Sequence, residues 1–240
     1  MTLNSVFATI RGKWAPQKTN LKGFSGFTLA EVLITLVIVG VIAAMTIPTL
    51  MNNTNKQEYV VGLKKAYSAM TQVTNKIIAE EGNPKCSIGG WACSNDDVYD
   101  MYKKYISIAK ECSEDNSDCP NQPYLRRDGS ADRNEYFFGT MKSLITNDGM
   151  RYAFLSVNEN CEGSDSGMIG GACFWIRIDV NGDKKPNIIG RDAFQFVMKE
   201  NGLTAAGCEP RDSNRTIQAI CTHSVYQCAC RVLTEGAMNY

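Results

Sequence analysis

Along this chain the pattern of apolar and polar positions changes twice. Residues 27–47 read FTLAEVLITLVIVGVIAAMTI, an apolar run with Glu31 as its one acid. From Gln57 the apolar positions thin to one in every three or four: Val60, Leu63, Tyr67, Met70, Val73 and Ile77. That step is the period of a helix with one buried stripe. It stops at Glu81-Gly82-Asn83-Pro84, where glycine and proline both end a helix. The pattern predicts one long helix from Phe27 to about Glu80, apolar in its first half and amphipathic in its second. Pro48 takes one amide donor out of its middle and Asn52-Asn53 weaken it just beyond, so a kink or local melting is expected there.

Past Pro84 the alternation changes again. Residues 85–135 are polar and predict loops with one helix, Asp97 to about Ile108, carrying Val98, Met101, Tyr102, Tyr105 and Ile108 on one side. A sheet is expected to begin near Tyr136. MRYAFLSV (150–157), CFWIRIDV (173–180) and AFQFVMK (193–199) are strand-length, aromatic or β-branched, and bounded by glycine. Gly163 to Gly171 reads as a loop or wide hairpin. Three antiparallel strands over the amphipathic helix make an α+β domain, with a tail from Cys208 to Cys230 folding back on it. The expected organisation is a basic leader (1–26), a transmembrane helix (27–48), an amphipathic helix (49–82) and a cysteine-rich soluble α+β domain (83–240).

Charge and cysteine placement sharpen this picture. The chain is neutral overall, but its first 26 residues hold Arg11, Lys13, Lys18 and Lys22 and no acid. The remainder is slightly acidic, with no basic patch of the kind that attracts phosphate backbones, so nucleic acid is not an expected partner. All ten cysteines follow the apolar run: Cys86, Cys93, Cys112, Cys119, Cys161, Cys173, Cys208, Cys221, Cys228 and Cys230. An even count beyond a membrane segment points to an oxidising compartment and disulfides. The C-x2-C pairing of zinc ribbons does not occur. The pairs 86/93, 112/119 and 221/228 share one C-x6-C spacing that invites local bonding, although spacing alone does not fix connectivity.

The apolar run itself admits three readings. A cleaved secretory signal has a short basic start, whereas the basic region here is 26 residues long. A plain anchor fits the length of 27–47 but leaves Glu31 unexplained. A carboxylate in such a span costs about 2.5–3.5 kcal/mol and normally has a partner. Cutting the chain between Gly26 and Phe27 creates that partner, an N-terminal amine one turn from Glu31. A carboxylate near a helix start is also favoured by the macrodipole.

The segment KGFSGFTLAEVLITLVIVGVIAAMTIP resembles the class III signal of type IV pilins and type II secretion pseudopilins. It matches at Gly26, Phe27, Glu31 and Pro48. The resemblance implies cleavage after Gly26 by a prepilin peptidase, N-methylation of Phe27, and a role for Glu31 in subunit assembly. It implies a long helix packed under a small antiparallel sheet. It also implies a subunit held in the inner membrane with its C-terminal domain outside the cytoplasm, then packed with copies of itself or related subunits into a periplasmic or extracellular filament. A cytoplasmic basic leader agrees with the positive-inside rule. Gly40 and Ala44 form a small-xxx-small face that permits close helix approach. The implied function is a structural subunit of a type IV pilus-like or type II secretion filament. The alternative is a minor, tip-located subunit that binds a surface, DNA or secreted cargo.

One further segment is site-like. Asp179-Val-Asn-Gly-Asp183 begins like a calcium loop, with Asp179, Asn181, Asp183 and Asp192 as candidate donors. The EF-hand pattern then fails, because Lys184 stands where glycine is needed and Gly190 where the bidentate glutamate belongs. Asn181-Gly182 is also a strong turn signal, and a strand–turn–strand connection accounts for the same residues. The expectation is a structural turn and no cofactor, with calcium as the alternative. No catalytic residue is expected: no nucleophile elbow, phosphate loop or H-E-x-x-H is present, and His223 is the lone histidine. Lys103-Lys104 and Arg126-Arg127 read as solvated charge pairs.

Overall fold

The computed structural model describes residues 26–82, 94–114, 118–119, 123–132, 137–139, 141–157, 161, 171–182, 184–208 and 216–240. Its chain divides into two units, Met1–Pro48 and Thr49–Tyr240. Helix α1 spans Leu29–Glu81 and supplies residues to both. Helical backbone runs through Pro48, so the helix does not melt there. A proline removes one donor, and the remaining bonds of a long helix carry it past the gap.

In the first unit the helix is apolar all round, and its large side chains are exposed, among them Leu33, Leu36, Val37, Val39 and Ile42. Leu29–Pro48 is long and apolar enough to cross a membrane.

The second unit is an α+β layer structure. Its six-stranded antiparallel sheet runs in chain order: β1 (Ile108–Cys112), β2 (Ser143–Thr146), β3 (Arg151–Ser156), β4 (Ala172–Asp179), β5 (Ala193–Lys199) and β6 (Gly202–Ala205). One sheet face packs on the amphipathic half of α1. From the helix come Tyr59, Val60, Leu63, Ala66, Met70 and Ile77, all buried. From the sheet come alternate residues, Tyr152 and Phe154, then Phe174, Ile176 and Ile178, then Phe194, Phe196 and Met198. Each such side chain, fully buried, contributes about 1.5–3 kcal/mol. Gly62 lets α1 approach the end of β4, because a Cβ there would lie 3.1 Å from that of Val180. Helix α2 (Asn95–Lys103) closes the core with Val98, Tyr99 and Tyr102. Its start is a capping box between Ser94 and Asp97.

The other sheet face is also covered. Tyr124, Phe137, Phe138 and Met141 pack with Ala153, Ile189 and Ala193 and with half-buried Val225 and Tyr226. Polar groups are enclosed here. Arg177 donates to the Phe137 carbonyl at 2.5 Å, and Arg151 lies 4.5 Å from the Phe138 ring and donates through Nε to Ser143 Oγ. The C-terminal tail holds α3 (Ile217–His223), a 3-10 turn (Val225–Gln227) and α4 (Ala229–Glu235).

Two expectations are corrected. The helix predicted to reach Ile108 ends at Lys103, and Ile108 opens β1, paired with Thr146 of β2. Pairing with a strand more than thirty residues away overrides the local helical period. Six strands replace the three expected and begin well before Tyr136. β1, β2 and β6 have only four or five residues each, too few for alternation to announce them.

Four disulfides join described cysteines: 112–119, 161–173, 208–230 and 221–228. Two of them are C-x6-C pairs. The third such pair, Cys86 and Cys93, lies outside the described residues.

Candidate processing and assembly site

Gly26, Phe27 and Thr28 precede the helix, and Phe27 is 87% exposed. Helix α1 opens on a reciprocal cap. The Glu31 carboxylate accepts hydrogen bonds from Thr28 N at 2.8 Å and Thr28 Oγ1 at 2.9 Å. In return Glu31 N approaches Thr28 Oγ1 at 3.3 Å. Thr28 is thus the N-cap and Glu31 the N3 residue of a capping box. The folded helix holds the carboxylate against the Thr28 amide, one peptide from the Phe27 nitrogen. Thr28 was missed by the sequence reading. Its signal was present, a threonine three residues before a glutamate at the head of an apolar run.

The Asp179–Asp192 segment is placed by different forces. Asp179 closes β4, fully buried, and its Oδ2 accepts from the Tyr124 hydroxyl at 2.6 Å while Oδ1 accepts from Asn181 N at 3.0 Å. Burial, followed by the Asp179 charge, pushes the Tyr124 hydroxyl well above its ordinary pKa. Asp192 is buried too and accepts from Asn187 N at 2.8 Å and Ile188 N at 2.6 Å. Burial raises its carboxyl pKa above the ordinary value. Gly182 has φ +67°, and a Cβ there would come within 2.3 Å of the Gly149 carbonyl, so the turn abuts its neighbour.

For a cation, the donor set is divided. The Asn181 and Asn187 Oδ1 atoms are buried without a donor, as ligand oxygens would be. Both aspartates are engaged by protein donors instead. Among the described residues no group of three or more acids, histidines or cysteines is placed to hold a metal. Asp183 lies outside those residues.

Arg126 and Arg127 are half-buried, not the solvated pair expected. Lys103 is tied to Glu111 at 2.5 Å. His223 lies in the chain between the bonded Cys221 and Cys228.

A capped apolar helix with a carboxylate at its third position, leading into an amphipathic half under an antiparallel sheet, defines a pilin-like α+β subunit. Residues 21–47 match the family described as "Prokaryotic N-terminal methylation motif", and the chain therefore carries the prepilin signal of type IV pilins and pseudopilins. The match covers the signal and the apolar helix and stops before the second unit. No curated protein and no solved structure matches the chain.

Proposed function

We propose that this chain is a structural subunit of a type IV pilus-like or type II secretion filament. A prepilin peptidase cuts it between Gly26 and Phe27, and the new Phe27 amine is methylated. Before assembly, residues 27–48 sit in the inner membrane with the second unit outside the cytoplasm. The carrying observation is the Glu31 carboxylate, fixed at the helix start one peptide from the Phe27 nitrogen. Inside a bilayer that charge costs about 2.5–3.5 kcal/mol unless partnered. A Phe27 amine, its own or a neighbour's, supplies the partner. Pairing between neighbours sets the axial stagger of packed helices. Repetition of such a head-to-tail contact does not close on itself, which gives a fibre.

The test is intact-mass and N-terminal peptide analysis of the protein from membranes of a host with a prepilin peptidase. The expected product begins at Phe27 and is heavier by one methyl group. An uncut chain, or one cut elsewhere, overturns the reading.

A second reading, a minor tip subunit acting as a binding module, draws support from the four described disulfides, more staples than a repetitive packing role requires. Copy number along isolated filaments separates the two.

A further inference from the structure

A cleft of about 450 Å³ opens beside the C-terminal tail, lined by Arg126, Arg127, Asp128, Thr222, Val225 and Tyr240. That volume lies in the range of small-molecule sites. One wall is a tight hairpin in which Leu125 bridges Ala131 and Gly129 N closes onto the Arg126 carbonyl at 2.9 Å. The hairpin is docked rather than loose, since Leu125 exchanges backbone hydrogen bonds with Asn187 and Ile189. The facing wall is the loop closed by the Cys221–Cys228 disulfide.

Both arginines are held with donors to spare. Arg127 Nη2 donates to the Cys221 carbonyl at 2.8 Å, and its guanidinium lies 4.7 Å from the Tyr240 ring. Arg231 lies 4.9 Å from that same ring, whose hydroxyl donates to the Gly190 carbonyl. Arg127 Nη1 reaches only the Cys221 sulfur, at 3.7 Å, a weak acceptor. Arg126 touches Asp132 through Nε and Nη2 at a long 3.4 Å, and its side chain remains 38% exposed. Arg126 faces Asp132 through Nε and Nη2, which leaves Nη1 for a ligand, and Arg127 is fixed beside it by the Cys221 carbonyl, so two guanidinium charges stand at one opening.

The third charged group narrows the ligand. Asp128 is held ionised by Ser130, whose hydroxyl and amide both donate to Oδ1, which keeps its carboxyl below the ordinary range. With Asp132 paired to Arg126, the two arginines and two aspartates at the cleft balance, and Arg127 is the guanidinium with no carboxylate of its own among these contacts. Polyanions meet a repulsive carboxylate there, whereas a ligand with one carboxylate and neighbouring hydroxyls meets complementary groups. Thr222 lines the cleft, and its Oγ1 donates to the Gln218 carbonyl, which leaves the oxygen's lone pairs to accept from such hydroxyls. We propose that this cleft binds a hexuronic-acid unit of an acidic saccharide, with its carboxylate between Arg126 and Arg127 and its hydroxyls on Asp128 and Thr222. The site is independent of how the first unit is processed.

The experiment titrates the full-length chain in detergent micelles with galacturonate, galactose and inorganic phosphate, followed by calorimetry. Saturable galacturonate binding is expected, with none for galactose and at least about tenfold weaker binding for phosphate. Arg126→Gln and Arg127→Lys should each weaken galacturonate about tenfold, the effect of losing a charge-assisted contact. Thermal melts confirm that each variant is folded. Asp128→Asn, on the exposed tip of the hairpin, removes both an acceptor for the sugar hydroxyls and the charge that repels phosphate, so it should weaken galacturonate, strengthen phosphate and narrow the preference between them. Absence of saturable galacturonate binding overturns the proposal. So does equal binding of phosphate by the unmodified chain, or galacturonate binding that folded Arg126 and Arg127 variants leave unchanged.

Discussion

Thr28 and Glu31 cap each other at the head of α1: the carboxylate takes both Thr28 donors, and the threonine hydroxyl receives the Glu31 amide. This contact lies in the first unit, and the main core of the second unit includes no residue before Tyr59. Glu31→Ala should therefore sharply lower filament yield while leaving the melting temperature of the second unit unchanged. Thr28→Ala removes the clamp but keeps the charge, and an intermediate yield is expected. Sheared-filament quantification beside a thermal melt checks both. Normal filament yield from Glu31→Ala would end the pairing idea.

Thr74 of α1 and Tyr102 of α2 share a hydrogen bond at 2.6 Å, and both are fully buried. Tyr102→Phe strands the threonine hydroxyl and should cost about 1–2 kcal/mol in urea unfolding. Replacing both partners by apolar groups (Thr74→Val with Tyr102→Phe) should recover most of that loss. A double variant no more stable than the single one would show that packing, not the hydrogen bond, sets the cost.

Lys65 of α1 reaches Asp148 at 2.8 Å in the turn between β2 and β3. Burial raises the Asp148 carboxyl, but Lys65 and the Thr146 hydroxyl outweigh it and hold the pKa below its ordinary value. A lowered folded-state pKa gives stability that is full above the ordinary carboxylate range. That stability drains as pH falls through the folded value. The pair is partly exposed, so its size is at most about 1 kcal/mol. Asp148→Asn should flatten this part of the acid limb in a series of melts at falling pH. A limb unchanged by the substitution would remove Asp148 from the account.

Cys208 and Cys230 close a separation of 22 residues and tie the tail to the end of the sheet. Replacing both by serine should cost about 3 kcal/mol by loop entropy. Because α4 contributes Ala229 and Val232 to the main core, the loss should appear as one cooperative transition at lower denaturant, not as a separate early step.

For the Asp179–Asp192 segment the expected result is that chelation leaves the melting temperature unchanged, because both aspartates already have protein donors. A melting temperature that rises with calcium would instead assign the donorless Asn181 and Asn187 oxygens to a cation.

The division between what could be read and what could not follows interaction range. The long helix was legible because both its periods are local: Val60, Leu63, Met70 and Ile77 repeat along one face, and the apolar run needs no partner to be seen. The strands β3, β4 and β5 were legible for the same reason, since each is long enough to alternate. The motif matched over residues 21–47 was legible because it is a short run with fixed spacing. The edge strands were not, because Ile108 and Ser143 become strand residues only by pairing with segments distant in the chain. Nor was the cleft, in which Arg127 meets Cys221 and Tyr240 across about a hundred residues. Local pattern alone was enough for the helix, the central strands and the methylation motif. Only tertiary packing set which charges left the solvent, because the burial of Asp179 and Asp192 and the half-burial of Arg126 and Arg127 depend on neighbours that no local pattern encodes.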